Sequence, residues 1–143
     1  MPKYRMPMAS LISVMNPLDC KTWQVEPITP SEVREAIDRK EFAEVSWQTA
    51  LEKGIDREIH RIFHVRRIAY LAANPPSEDG GHKMHLAVSK DKTWFYDGNH
   101  RAAAAIVRGD PTIELWIASS GELDLPTLFP GLEEIEPQDD ADR

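Results

Sequence analysis

Cysteine is scarce in this chain: Cys20 is the single one among 143 residues. One thiol forms neither an intramolecular disulfide nor a four-cysteine zinc site, which excludes disulfide-rich secreted domains. Long apolar runs are also lacking, because Pro7 and Ser10 interrupt the apolar stretch from Met6 to Val14. No run approaches the ~18 apolar residues that a membrane span requires. We therefore expect a cytoplasmic protein with no membrane partner.

An excess of positive charge is lacking too, since 24 acidic residues outnumber 17 basic ones and the formal net charge is -7. A uniformly acidic surface would be repelled by nucleic-acid phosphates. The acidic residues are not uniform, however. Eight of them follow Ala118, where Arg143 is the only basic residue, so the chain up to Ala118 is neutral. The charge therefore argues against nucleic-acid binding by the C-terminal segment and not by the rest.

The N-terminal part predicts an extended arm followed by helices. Residues 1–28 include two apolar or alternating runs, Leu11–Met15 and Trp23–Glu26, that predict short strands. Thr29 as N-cap, Pro30 at the first helical position and Glu32 predict a capped helix that ends near Lys40. Apolar spacing predicts two more helices, over 42–53 and 56–73.

The pattern then changes to strands. The runs 84–89 and 93–96 predict a β-hairpin, the alanine-rich run 99–108 a helix, and 112–118 a strand. Residues 119–143 form an acidic tail. Helices followed by strand–strand–helix–strand predict an α+β domain over 29–118, with a small mixed sheet.

The most informative sequence joins the second hairpin strand to the alanine-rich helix: Asp97, Gly98, Asn99, His100 and Arg101. Glycine at such a turn permits positive φ or the close approach of a ligand. The unpaired N–H groups of a helix start attract anions, and His100 and Arg101 add side-chain donors. The alternative is that Asp97 and Asn99 form only a turn and an N-cap, with His100 and Arg101 solvated.

This motif, with a hairpin before it and Gly109 and a strand after it, resembles the ParB/sulfiredoxin superfamily over roughly residues 63–118. The segment from His64 to Leu71 also resembles stretches upstream of the motif in bacterial and phage relatives. The resemblance implies a ParB/sulfiredoxin-like core whose strand–turn–helix forms a phosphate cradle. It implies phosphate-binding roles for Gly98, Asn99, His100, Arg101, His64 and Arg67.

Two departures narrow what the resemblance implies. Sulfiredoxins require a cysteine in this turn, where Asn99 stands, so sulfinic-acid reduction is excluded. Segregation-type ParB proteins continue into an asparagine-containing arginine motif and a helix-turn-helix domain, which this chain lacks. The expected function is binding of a nucleotide or nucleic acid, extended in some relatives to nuclease or phosphotransferase activity. A nucleoside triphosphate and Mg²⁺ are then the candidate cofactors.

Catalysis would depend on Asp97, His100 and Arg101 as the catalytic residues, with Asp97 as the base. The alternative is that Asp97 is only a turn residue. No residue is assigned as a metal ligand, and His60 with His64 is better explained as two polar helix positions. A basic strip on the helix around Arg57 and Arg61 is either a wall of the anion site or a solvated face. The alternative function is a non-enzymatic module of plasmid or phage type whose acidic tail engages a basic protein.

Overall fold

A computed structural model of the chain describes residues 2–75, 84–120 and 122–135, which form a mixed α+β fold. The chain divides into two compact units. The sheet unit contains described residues 2–16, 84–99, 110–120 and 122–135, and the helical unit contains 17–75 and 100–109. In the described residues, no helix is long and apolar enough to span a membrane.

The sheet unit is built on five strands in the order β3-β2-β4-β1-β5. Strands β2 and β4 are parallel and the other pairs are antiparallel. Along β4, Ile113, Leu115 and Ile117 are buried in strict alternation, the period expected for a strand with one covered face. The strands are β1 (Lys3–Pro7), β2 (His85–Val88), β3 (Thr93–Asp97), β4 (Thr112–Ser119) and β5 (Glu133–Ile135).

The N-terminal residues of this unit differ from the predicted arm. Strand β1 lies between β4 and β5, so the first residues are an interior part of the sheet. The prediction of a strand over Leu11–Met15 is wrong, because helix α1 (Met8–Val14) occupies this stretch. Met8 and Leu11, three residues apart, are both buried on the helix, and its Ser10 hydroxyl donates to the carbonyl of Pro130.

Part of the predicted acidic tail also belongs to the sheet unit. Strand β5 pairs with β1, and Glu133 accepts a hydrogen bond of 2.8 Å from Arg5. Asp124 caps the short helix α6 (Leu125–Leu128) by accepting from the N–H of Thr127. The final acidic residues, 136–143, and the predicted loop at 77–82 lie outside the described part of the chain.

The helical unit packs α2 (Pro30–Asp38) against α4 (His60–Ala73). The predicted capping box is present: Thr29 accepts from the N–H of Glu32, and the Glu32 carboxylate accepts from the N–H of Thr29. Helix α5 (Asn99–Arg108) begins in the sheet unit and runs from His100 onward in the helical unit. The core of the helical unit includes buried residues from α2, α4 and α5, such as Val33, Ile68 and Ala103.

Two other predictions for this unit are wrong in detail. Trp23–Glu26 forms a turn and not a strand, because Cys20 and Gln24 have positive φ values of 61° and 56° that break extended backbone. The helix predicted over 42–53 is confined to α3 (Trp47–Glu52). It begins there because the Ser46 side chain accepts from the N–H of Thr49 and caps it.

Candidate functional site

The turn between β3 and α5 depends on Gly98, whose φ is +99°. A Cβ added at this position would lie 2.7 Å from Cγ of Met84 and 3.0 Å from its Cα. The predicted positive φ is present, and the close neighbour within the sheet unit is Met84. Glycine is therefore required at this turn by both the backbone and the packing.

The residues flanking Gly98 are held within the sheet unit. Asn99 is the first residue of α5, and its side-chain amide donates to the carbonyl of Phe95 at 3.1 Å. Asp97 ends β3 with its side chain 62% exposed, and its Oδ2 lies 3.7 Å from Nδ1 of His85. That histidine nitrogen is buried and has no hydrogen-bond partner among the described residues.

His85 was not among the predicted site residues. Its ring stacks on Tyr96 with centroids 5.3 Å apart, and it faces Asp97 across the β2–β3 pair. A shift in strand register between His85 and Leu86 accompanies this placement. Such bulges redirect side chains and are enriched near functional sites. The sequence carried little signal for His85, because the predicted second strand ended at Tyr96, before Asp97.

The helical unit brings together two of the predicted site residues, His64 and His100. Nδ1 of His64 lies 2.8 Å from Nε2 of His100, a hydrogen bond between two rings. Trp23 stacks on both, with centroid distances of 4.2 Å to each, and Trp47 lies 4.4 Å from His64. The four rings make a single aromatic cluster in which His64 is completely buried and His100 is partly exposed.

These surroundings keep both histidines neutral. Burial, and secondarily the charge of His60, lowers the pKa of His64 to about 3. Burial also holds the pKa of His100 well below its ordinary value, helped by His64 and by the charges of Arg67 and Arg101. At neutral pH the pair is therefore uncharged, and His100 is a neutral group at the helix start.

Arg67 is the predicted site residue whose position is most unusual. Its Nη1 donates to the carbonyls of Glu44 at 2.8 Å and Ala43 at 3.3 Å. Burial, and secondarily the neighbouring charge of Arg101, lowers the pKa of Arg67. Among the described residues, Arg67 forms no ion pair with a carboxylate. The positive charge of Arg101 thus acts on Arg67 within the helical unit.

The other basic side chains of α4 have different partners. Arg61 pairs with Glu32 at 2.8 Å and also donates to the carbonyls of Glu26 and Pro27, so it anchors the segment before α2. Arg66 forms an ion pair with Glu41 at 3.5 Å. Arg61 of the predicted basic strip and its neighbour Arg66 therefore pair with carboxylates within the fold, and Arg67 differs from both.

His60 and His64, one helical turn apart on α4, have different neighbours. His60 Nε2 lies 3.3 Å from the carbonyl of Ile55, while His64 pairs with His100. Within residues 2–75, 84–120 and 122–135, no three His, Cys, Asp or Glu side chains come together as metal ligands.

Trp23 is the residue whose importance to the site the sequence did not indicate, because its contacts are with residues far along the chain.

Of the seven predicted site residues, the helical unit holds His64, Arg67, His100 and Arg101, and the sheet unit holds Asp97, Gly98 and Asn99. No protein-family model, curated protein or solved structure matches the chain. The geometry around Arg67 and the histidine pair is therefore the basis for assigning a function.

Proposed function

We propose that the protein binds a phosphate group, on a nucleotide or a nucleic acid, with Arg67, Arg101 and the first turn of α5. The proposal agrees with the phosphate cradle implied by the resemblance of residues 97–101 to ParB/sulfiredoxin-like domains. The observation that supports it most is the environment of Arg67, a partly buried cation that is held by backbone carbonyls and repelled by the charge of Arg101.

A partly buried charge has lost hydration, and a like charge beside it adds repulsion. The carbonyls of Ala43 and Glu44 orient the guanidinium but carry no net charge to offset it. An anion between Arg67 and Arg101 would remove the repulsion and gain charge-assisted hydrogen bonds from both. Phosphate suits this position because its oxygens accept from several donors at once.

The first turn of α5 supplies the remaining donors. This helix has ten residues, and the N–H groups of its first turn have no intrahelical acceptor. The helix dipole adds a partial positive charge at the same end. A phosphate there would meet backbone N–H groups as well as the two guanidinium groups.

The extension to nuclease or phosphotransferase activity requires a proton acceptor in addition. Asp97 remains the proposed base, because its carboxylate is largely exposed and close to His85. Cleavage of single- and double-stranded DNA, assayed with and without Mg²⁺, tests this extension. Loss of cleavage in Asp97→Asn with phosphate binding retained would support it, and absence of cleavage in the native chain would refute the nuclease activity.

Binding itself is tested by isothermal titration with inorganic phosphate, ATP and a short DNA oligonucleotide, comparing Arg67→Gln with Arg66→Gln. The two arginines are adjacent on α4, but Arg66 pairs with Glu41. We expect Arg67→Gln to weaken binding at least about tenfold, equivalent to about 1.4 kcal/mol, and Arg66→Gln to leave it unchanged. No binding of any of the three ligands, or equal losses in both variants, would refute the proposal.

A further inference from the structure

The hydrogen bond between His64 and His100 determines which ligand group can bind beside them. This inference rests on the proposed phosphate site. We infer that His64 is a positioning residue: it donates from Nδ1 to Nε2 of His100 and so holds His100 in the tautomer with its proton on Nδ1. His100 then offers a neutral N–H donor beside Arg67 and Arg101, suited to an acceptor oxygen of the ligand.

Nδ1 of His64 and Nε2 of His100 lie 2.8 Å apart. Two bare lone pairs would repel at this separation, so one nitrogen carries a proton and donates it to the other. Two arrangements satisfy this condition. Either Nδ1 of His64 donates to Nε2 of His100, or Nε2 of His100 donates to Nδ1 of His64.

The other ring nitrogen of His64 distinguishes the two arrangements. Nε2 of this residue is buried and has no hydrogen-bond partner in the described structure. If His100 were the donor, neutral His64 would carry its proton on Nε2, which leaves a buried N–H without an acceptor. If His64 is the donor, Nε2 is a bare lone pair. Orphaned buried N–H groups are rarer than under-used acceptors, which favours His64 as the donor.

His100 is neutral, so only one of its two ring nitrogens carries a proton. Because Nε2 accepts from His64, that proton resides on Nδ1. Trp23 stacks on both rings, with interplanar angles of 13° and 18°, so the two imidazoles lie nearly parallel to the indole. A ligand at Nδ1 must therefore be an acceptor, such as a phosphate oxygen, and an ammonium group is excluded.

The tautomers are measured directly by long-range ¹H–¹⁵N NMR on the full chain labelled with ¹⁵N-histidine, without ligand, at neutral pH. The variants His60→Gln, His82→Gln and His85→Gln each remove one signal and assign the other histidines. We expect both His64 and His100 to carry the proton on Nδ1. A proton on Nε2 of either residue would overturn the inference. This measurement is independent of phosphate binding, so it stands even if the proposed function fails.

The positioning role is tested by phosphate titration of His64→Asn and His64→Leu. Asparagine keeps an N–H donor near the position of Nδ1, whereas leucine has a similar volume and no donor. We expect about fivefold weaker phosphate binding in His64→Leu and near-native binding in His64→Asn, as loss of one hydrogen bond implies. Equal affinity in native protein and His64→Leu would overturn the role. If neither variant folds, the native spectrum decides.

Discussion

His64 in the helical unit and His85 in the sheet unit each have one buried ring nitrogen without a hydrogen-bond partner in the described structure, yet their surroundings differ. His64 is enclosed by Trp23, Trp47 and a second histidine, with no surface exposed. His85 keeps 22% of its side chain exposed and lies near the carboxylate of Asp97.

The comparison shows that the surroundings of an imidazole determine whether it is held neutral or lies beside a solvated charge. Inside an aromatic cluster, the cost of burying charge dominates, and the imidazole stays neutral. Beside an exposed carboxylate, water screens the interaction, and little stability depends on it. The helical unit therefore uses its histidines as fixed neutral donors and acceptors, whereas His85 lies beside a carboxylate that is largely exposed to solvent.

The largest expected effect comes from removing the aromatic side chain that stacks on each histidine ring. Trp23→Ala removes a 9%-exposed indole that stacks on His64 and His100, and should cost about 3–5 kcal/mol of unfolding free energy. Tyr96→Ala removes the 50%-exposed ring on His85 and should cost about 1 kcal/mol or less. Urea denaturation measures both. Similar losses in the two variants would contradict the comparison.

The second effect is acid destabilisation by the neutral histidine pair. The pKa of His64 is about 3 in the folded state against 6.5 as its ordinary value, so the unfolded chain binds a proton first as pH falls. Stability is therefore full above pH ~6.5, decreases below it, and ceases to decrease from this group near its folded pKa.

Between pH 7 and pH 5, above the range where carboxylates titrate, we expect His64 to contribute a loss of about 2 kcal/mol in unfolding free energy, measured by urea denaturation. His64→Leu is the control and should show a smaller loss, because it removes this group. A flat unfolding free energy over this interval would show that the buried pair does not remain neutral.

The smallest effect is expected at the contact between His85 and Asp97. Because the Asp97 side chain is 62% exposed and 3.7 Å from the ring, Asp97→Asn should change the unfolding free energy by less than about 1 kcal/mol. Urea denaturation at low and moderate salt checks this. A loss above about 2 kcal/mol would mean that the carboxylate stabilises His85 much as Trp23 stabilises His64.

Several elements could be predicted because their signals are local. The capping box of Thr29 and Glu32 is complete within four residues, and the α5 helix follows from its run of alanines. The Gly98 turn was predictable for the same reason, although its close neighbour Met84 was not.

The errors fall where distant residues determine the structure. Leu11–Met15 has an apolar run suited to a strand, yet it is helical because Met8 and Leu11 bury one face. In the site, composition and spacing do not distinguish Arg61, Arg66 and Arg67, and only the resemblance singled out Arg67. Their partners separate them, since Glu32 and Glu41 neutralise two of them and main-chain carbonyls hold the third.

The sequence by itself determined the hairpin, the glycine turn, the helix that follows it and the basic residues at its start, because neighbouring residues encode caps, turns and periodicity. Tertiary structure alone decided that Lys3 aligns with Ile135 across the sheet and that Trp23 covers His64 and His100. These contacts join residues far apart in the chain, and only the packing of the folded chain selects them. The protonation of the histidine pair follows from that burial and not from the residue type.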